Sequence, residues 1–281
     1  ALASLPLGGG KAVVIAEDEG PMTPEMLLTF GRWVESLGGA YITSEDVGMP
    51  TGSMDVVKQV TNYITGLEPA EGSAGGDPSP WTADGVFLGL EAAARHRLGL
   101  DSLAGLRVAV QGLGKVGYKL CQRLFDTGAR LVVSDVDAQL SRRAKAEFGA
   151  QVVDTEEILY QDVDILSPNA LGAVLDEHSI PQIKAAIIGG AANNQLATEQ
   201  DGQRVFERNI LYAPDYAINS GGITSVALEY QGDKSAADVA AKIAEIPGRL
   251  ASIFAASDKR QTPTNVIADG MAEAIVTDAR Q

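Results

Sequence analysis

Gly112-Leu113-Gly114-Lys115-Val116-Gly117 stands directly between an apolar stretch, LRVAVQ, and a segment of helical periodicity, YKLCQRLFDTG, that ends near Gly128. In that setting each glycine has its own use. Gly112 permits a tight turn out of a strand, Gly114 lets a pyrophosphate approach the backbone, and Gly117 lets the helix pack close to the strand. The helix N-terminus adds unpaired N–H groups for phosphates. The next apolar stretch, RLVVSD, ends in Asp135, close to the separation of about 20 residues expected for a carboxylate that binds an adenine-ribose hydroxyl. Such a carboxylate would repel a 2′-phosphate, so the pattern favours NAD over NADP. Arg142 and Arg143 could in principle reach a phosphate, but within SRRAKAEF they read as a solvated helix face. Cys121, on the helix after the glycines, reads as core packing.

A second set of residues could carry proton chemistry. Lys11 follows Gly8-Gly9-Gly10 and precedes AVVIA, and Asp46 lies in ITSEDVG. On spacing alone Lys11 reads equally as a surface lysine beside a glycine-rich turn, since the spacing of a Walker phosphate loop is missing. Asp46 is just as ambiguous by itself. The chain has only two histidines, His96 and His178, both in polar contexts, and one cysteine. Zinc sites and histidine-dependent triads therefore have few members, no metal is expected, and any chemistry falls to lysine and aspartate.

The elements that must position these residues alternate between strand and helix. Short strands are expected at residues 12–16 and 40–43, with a helix between them that opens at Thr23-Pro24, an N-cap with proline at the first helical position, and runs to about Leu37. Residues 44–80 are rich in Gly, Pro, Asp and Ser, with a helix-like stretch at 54–63, and mark loops and a domain boundary. A helix from Ser79-Pro80 to about Arg97 precedes a βαβ unit that begins at Leu106. Further strands are expected at 130–134, 163–166, 186–189 and 210–212. This spacing implies a mostly parallel sheet with helices on both faces, an α/β fold.

The chain has 281 residues, 45% of them hydrophobic, and a formal net charge of −15. That is enough length for two domains, and the acidity argues against nucleic acid or an anionic membrane surface as partner. A lone cysteine and the lack of any run of about 20 apolar residues imply a reducing, cytoplasmic setting without a membrane span.

Seven segments in order, LPLGGGKAVV, GAYITSEDVG, GDPSPWTADGV, QGLGKVG, SPNALGAVL, GGAANNQL and APDYAINSGGI, together resemble the leucine, phenylalanine and valine dehydrogenases. EDVG and PSP look more like the leucine and valine enzymes. The resemblance implies an NAD-dependent oxidative deamination of an apolar L-amino acid to its 2-oxo acid and ammonia. In that chemistry Lys11 activates the water that attacks an iminium at the substrate Cα, and Asp46 handles protons on the nitrogen. Gly10 and Asn194 would contact substrate, Asn194 beside its carboxylate, and Ser44, Ile223 and Val226 would line the side-chain pocket. Two β-branched residues there suit a branched aliphatic group. Thr82 and Asn219 fall near the nicotinamide end of the cofactor, with Gly112, Gly114, Lys115, Val116, Gly117, Asp135, Ala170 and Asn193 as further cofactor contacts. Read alone, Asn193 and Asn194 could cap a helix and Asn219 could hold a turn.

By the same resemblance, a Rossmann domain at 83–258 is joined by a partial α/β substrate domain at 1–82. A C-terminal helix at 259–281 returns to the substrate domain, and hinge closure surrounds the reactants. Family members carry several dozen residues ahead of the GGGK segment, including a second lysine for the substrate carboxylate, so the substrate domain is expected to be incomplete. A homo-oligomer is expected. The competing reading is an NAD(H)-binding module without turnover, acting through a partner surface.

Overall fold

The computed structural model describes residues 1–15, 20, 22–46, 48–68 and 72–279. In chain order its helices and strands are α1 (Pro24–Ser36), α2 (Thr51–Lys58), α3 (Ser79–Leu98), β1 (Arg107–Gln111), α4 (Lys115–Thr127), β2 (Arg130–Ser134), α5 (Ala138–Phe148), β3 (Gln151–Val152), β4 (Ile165–Pro168), β5 (Ile187–Ile188), α6 (Glu199–Glu207), β6 (Leu211–Tyr212), α7 (Asp215–Ile218), α8 (Gly221–Gln231), α9 (Ala236–Ile243), α10 (Ile246–Arg260) and α11 (Thr264–Asp278). They fall into two compact units. The larger comprises Ala1–Ser4, Ser79–Gly222 and Lys242–Gln281, and the smaller comprises Leu5–Pro78 and Ile223–Ala241.

In the larger unit six strands, all parallel, lie in the order β3-β2-β1-β4-β5-β6. The chain builds outward from β1 in one direction, then crosses back to β4 and builds the other way. That reversal leaves a crevice at the carboxyl ends of β1 and β4, where doubly wound sheets bind ligands. The central strands are apolar on both faces, as a sheet covered by helices requires. Val108, Ala109 and Val110 of β1 and Ile165 and Leu166 of β4 are buried. Cys121 lies in this core with no accessible surface, and burial pushes its thiol up to about 12. The α4 helix ends at Gly128, with φ +89°, as its sequence suggests. The two-residue β3 was not expected, because both its residues are exposed and carry no alternating apolar signal.

The smaller unit departs from expectation. The helix over residues 24–36 forms as read, with the Thr23 hydroxyl accepting from Met26 N–H at 3.3 Å. Its buried Leu27 packs with Met54, Val57 and Ile64 into a small core. The expected strand at 12–16 does not form over its described residues, and Ala16 lies outside them. Val13 is 78% and Ile15 90% exposed. A short apolar run becomes a strand only when a neighbour takes up its N–H and C=O groups, and no described segment pairs with the described residues of this one. Of the expected strand at 40–43, only Thr43 pairs, through one parallel bridge to Ile64.

The domain boundaries also differ from those expected. Residues 223–241 belong to the smaller unit, because Ala74 N–H donates to Lys234 O at 3.0 Å, Ala236 N–H to Gly72 O at 3.1 Å, and Ser73 bridges Ser235. The C-terminal helix α11 stays with the sheet instead of returning to the other unit. The Thr264 hydroxyl donates to Tyr212 O at 2.7 Å, and the Tyr216 hydroxyl lies 3.2 Å from Asn265 O. Among the described residues no helix is long and apolar enough to cross a membrane.

Candidate active site

The glycine turn has the geometry its spacing implies. Gly112 leaves β1 at φ +89°, a conformation that favours glycine, and a Cβ there would stand 2.9 Å from both N and Cβ of Ala170. A Cβ on Gly117 would collide with the Gly112 carbonyl oxygen, so helix and strand meet closely at this point. Above Gly114 nothing lies within 4 Å of where a Cβ would be. Gly114 caps α4, whose first residues are Lys115 and the half-buried Val116. Open space over a glycine at a helix N-terminus is what a pyrophosphate requires, and a dinucleotide therefore fits this turn.

Asp135 stands at the carboxyl end of β2. One of its oxygens accepts the Leu113 N–H at 2.5 Å and the other the Asp137 N–H at 2.7 Å. The carboxylate is thus held rigidly against the glycine turn from 22 residues away. Arg142 and Arg143 are exposed on α5, as expected. Arg143 is engaged with Glu147 at 2.7 Å and lies 4.4 Å over the Tyr118 ring.

The loops after β4 and β5 interlock beside this turn. Asn169 donates through Nδ2 to Ser167 O at 2.8 Å and accepts the Ala191 N–H through Oδ1 at 2.9 Å. Buried Gln195 donates to Gly190 O and Ala192 O at 2.9 and 3.0 Å. Asn219 spans the same region, donating to Ala191 O at 3.1 Å and Asn193 Oδ1 at 2.7 Å. Asn194 has a positive φ of 52° and donates its backbone N–H to the Asp215 carboxylate. Its own amide is exposed and makes no hydrogen bond to a described residue. Neither Asn193 nor Asn194 caps a helix, since α6 is capped by Thr198, whereas Asn219 closes the end of α7. Thr82 lies in the first turn of α3, and the Gly221 Cβ position stands 3.2 Å from its Cα.

Sequence reading missed Asp215, Asn169 and Gln195. Asp215 is buried and also accepts from the Tyr212 hydroxyl at 3.3 Å; burial first, then the Asp215 charge, raises Tyr212 well above its ordinary value. APDYAIN reads only as a helix start, and nothing local signals that its carboxylate fixes a loop 21 residues earlier.

The remaining site residues belong to the smaller unit. The Lys11 ammonium donates to the Asp46 carboxylate across 35 residues of sequence, with side chains 66% and 52% exposed. Asp46 is held by a reciprocal pair, its N–H to Met49 O at 3.3 Å and Met49 N–H to Asp46 O at 2.9 Å. Gly10 lies against Tyr41, whose ring would be 3.2 Å from a Cβ. The Ser44 Oγ is buried without a partner among the described residues. Ile223, 50% exposed, and Val226 stand three residues apart on one face of α8. The histidines stand elsewhere. His96 Nε2 pairs with Asp258 at 3.0 Å and packs on Phe254, and His178 is 85% exposed.

The strand order, the glycine turn and the acid after β2 define a Rossmann-type dinucleotide-binding domain. The glutamate/leucine/phenylalanine/valine dehydrogenase family model matches residues 133–274. Leucine dehydrogenase of Bacillus subtilis (strain 168) is 45% identical over 97% of this chain and 74% of its own length. Valine dehydrogenase of Streptomyces virginiae is 42% identical over 100% of this chain and 78% of its own. The crystal structure of L-tryptophan dehydrogenase from Nostoc punctiforme superposes with a TM-score of 0.83 at 40% identity, covering 99% of this chain and 80% of that one. The chain belongs to the glutamate/leucine/phenylalanine/valine dehydrogenase family.

Proposed function

We propose that this protein catalyses the NAD-dependent oxidative deamination of an apolar, branched-chain L-amino acid to its 2-oxo acid and ammonia, and the reverse reductive amination. The observation that carries this reading is the contact of the Lys11 ammonium with the Asp46 carboxylate. It supplies a base and a proton carrier as one unit, in a chain whose relatives are named leucine, valine and tryptophan dehydrogenase. The dinucleotide, held by Gly112, Gly114, Lys115, Val116, Gly117, Asp135 and Ala170, with Thr82, Asn193 and Asn219 towards its nicotinamide end, would accept the hydride released from the substrate Cα.

The chain's own groups do the rest. Once the Lys11 ammonium has passed a proton to the Asp46 carboxylate, the neutral Lys11 amine removes a proton from the water that adds to the Cα, and Asp46 gives its proton to the nitrogen and takes up the hydroxyl proton as the C–N bond breaks and ammonia leaves. Asn194 offers its unbonded amide to the substrate carboxylate, and Gly10 leaves room for the substrate beside Lys11. Ser44, Ile223 and Val226 take the side chain, where β-branched walls suit a leucine- or valine-sized group. A homo-oligomeric enzyme is part of the same proposal.

Preference for NAD follows from Asp135. The Asp135→Ser variant is expected to narrow the NADH-over-NADPH preference by roughly 10- to 100-fold, the equivalent of losing one hydrogen bond to a charged group at about 1.5–3 kcal/mol. Steady-state kinetics with both reductants would check it, and an unchanged ratio would remove Asp135 from the selectivity.

The reaction itself is tested by NADH oxidation with ammonia and 4-methyl-2-oxopentanoate, 3-methyl-2-oxobutanoate, phenylpyruvate or 2-oxoglutarate. Turnover that requires ammonia and is fastest with a branched oxo acid is expected. Fastest turnover of 2-oxoglutarate would overturn the substrate class.

A further inference from the structure

Glu229 has no part in the chemistry described above, yet it ties together the two segments that carry it. Its carboxylate accepts the Gly66 N–H at 2.9 Å and the Leu67 N–H at 3.1 Å, across more than 160 residues of sequence. Glu229 lies on α8, three residues after Val226 and six after Ile223. The turn it grips lies directly under the segment that carries Ser44 and Asp46. Gly66 has φ +76°, and a Cβ there would stand 2.9 Å from Glu45 N, 2.8 Å from Glu45 Cβ and 3.3 Å from Ser44 Oγ. Upstream, Thr43 N–H donates to Tyr63 O at 3.0 Å and Thr65 N–H to Thr43 O at 2.9 Å, so residues 43–46 and 63–67 run side by side.

A surface glutamate would ordinarily keep its solvent. Glu229 is half-buried, and burial raises its carboxyl while the two N–H groups pull it back. A carboxylate taken from water to accept two backbone N–H groups of a glycine turn is a costly way to hold a loop unless its position matters. Each of the two grips has a specific dependence. Without the carboxylate two N–H groups of a close-packed turn lose their acceptor, and without glycine at 66 the turn cannot approach Glu45.

We infer that Glu229 is a positioning residue for the reaction: it locks the Gly66-Leu67 turn to α8, and so fixes Ser44 and Asp46 relative to the pocket residues Ile223 and Val226. The inference rests on the proposed roles of Asp46 and of that pocket. Loss of the lock displaces both the proton carrier and the side-chain wall, and leaves the dinucleotide turn, which belongs to the other unit, untouched.

The test compares Glu229→Ala and Glu229→Gln with the wild-type chain in three readouts: kcat and KM for two branched oxo acids, NADH affinity, and amide hydrogen exchange over residues 43–46 and 63–67. In Glu229→Ala, kcat/KM for the oxo acid is expected to fall by roughly 10- to 100-fold, the scale of a small misplacement of reacting groups. The ratio between the longer and shorter oxo acid should shrink, exchange should quicken in both segments, and NADH affinity should stay constant. Glu229→Gln, which keeps one acceptor oxygen, should recover part of the loss. Wild-type kinetics with unchanged exchange in Glu229→Ala would overturn the inference, as would a loss of NADH affinity as large as the loss in kcat/KM. If the wild-type chain turns over no oxo acid, the reaction and the positioning role fall together, and exchange still decides whether the lock exists.

Discussion

Lys11→Ala is expected to lower kcat for reductive amination by roughly 10²- to 10⁴-fold, the range for loss of a positioned general acid or base. In the amination direction the lysine returns to the departing water the proton that it removes from the attacking water in deamination. Alanine can do neither. Because Lys11 and the glycine turn lie in different units, NADH affinity should be unchanged. This combination separates a catalytic lysine from one that maintains the fold. Steady-state kinetics with titration of NADH fluorescence would measure both, and normal turnover in Lys11→Ala would remove Lys11 from the mechanism.

Asp46→Asn should be comparably damaging, about 10²- to 10⁴-fold in kcat. Asparagine keeps the shape and the reciprocal backbone bonds to Met49 but holds no proton to give. It also leaves the Lys11 ammonium facing an amide in place of a charge. Since the two side chains touch, their losses should not add. Groups that act as one unit show double variants little worse than the poorer single one. Full additivity in Lys11→Ala/Asp46→Asn would mean that they act independently and that the contact between them is incidental.

The parts of this site that could be read from sequence are those in which the reason for each residue is local. Gly112 needs its positive φ and Gly117 its lack of a Cβ within a single strand-turn-helix, so their spacing carries the signal. The same holds for Asp135, whose place at the end of β2 follows from one apolar run. Thr23 and Gly128 mark the ends of their helices by conformational preferences that act over a turn.

The parallel sheet follows from the βα spacing, but strand pairing in the smaller unit and long-range anchoring are not legible in sequence. The run AVVIA has every local mark of a strand, but a strand exists through its neighbours, and over its described residues, 12–15, none of the described segments takes up its hydrogen-bonding groups. Asp215 and Glu229 look like ordinary helix residues, because their partners, Asn194 in one case and Gly66 with Leu67 in the other, are brought near only by the folded chain. The placement of α11 had the same limit. Its periodicity announces a helix, whereas the Thr264 contact with Tyr212 decides which unit it joins. The family resemblance supplied roles for Lys11 and Asp46 that neither spacing nor composition could have assigned. The contact between their side chains adds a physical reason for treating them together.

The most direct test of the central claim is to follow the fate of deuterium from L-leucine labelled at Cα, in the presence of NAD and this protein, by nuclear magnetic resonance with ammonia measured in parallel. The proposed reaction places one deuterium on the nicotinamide ring for each ammonia released, with 4-methyl-2-oxopentanoate as the other product. Deuterium that appears in water, or reduced dinucleotide formed without ammonia, would contradict it.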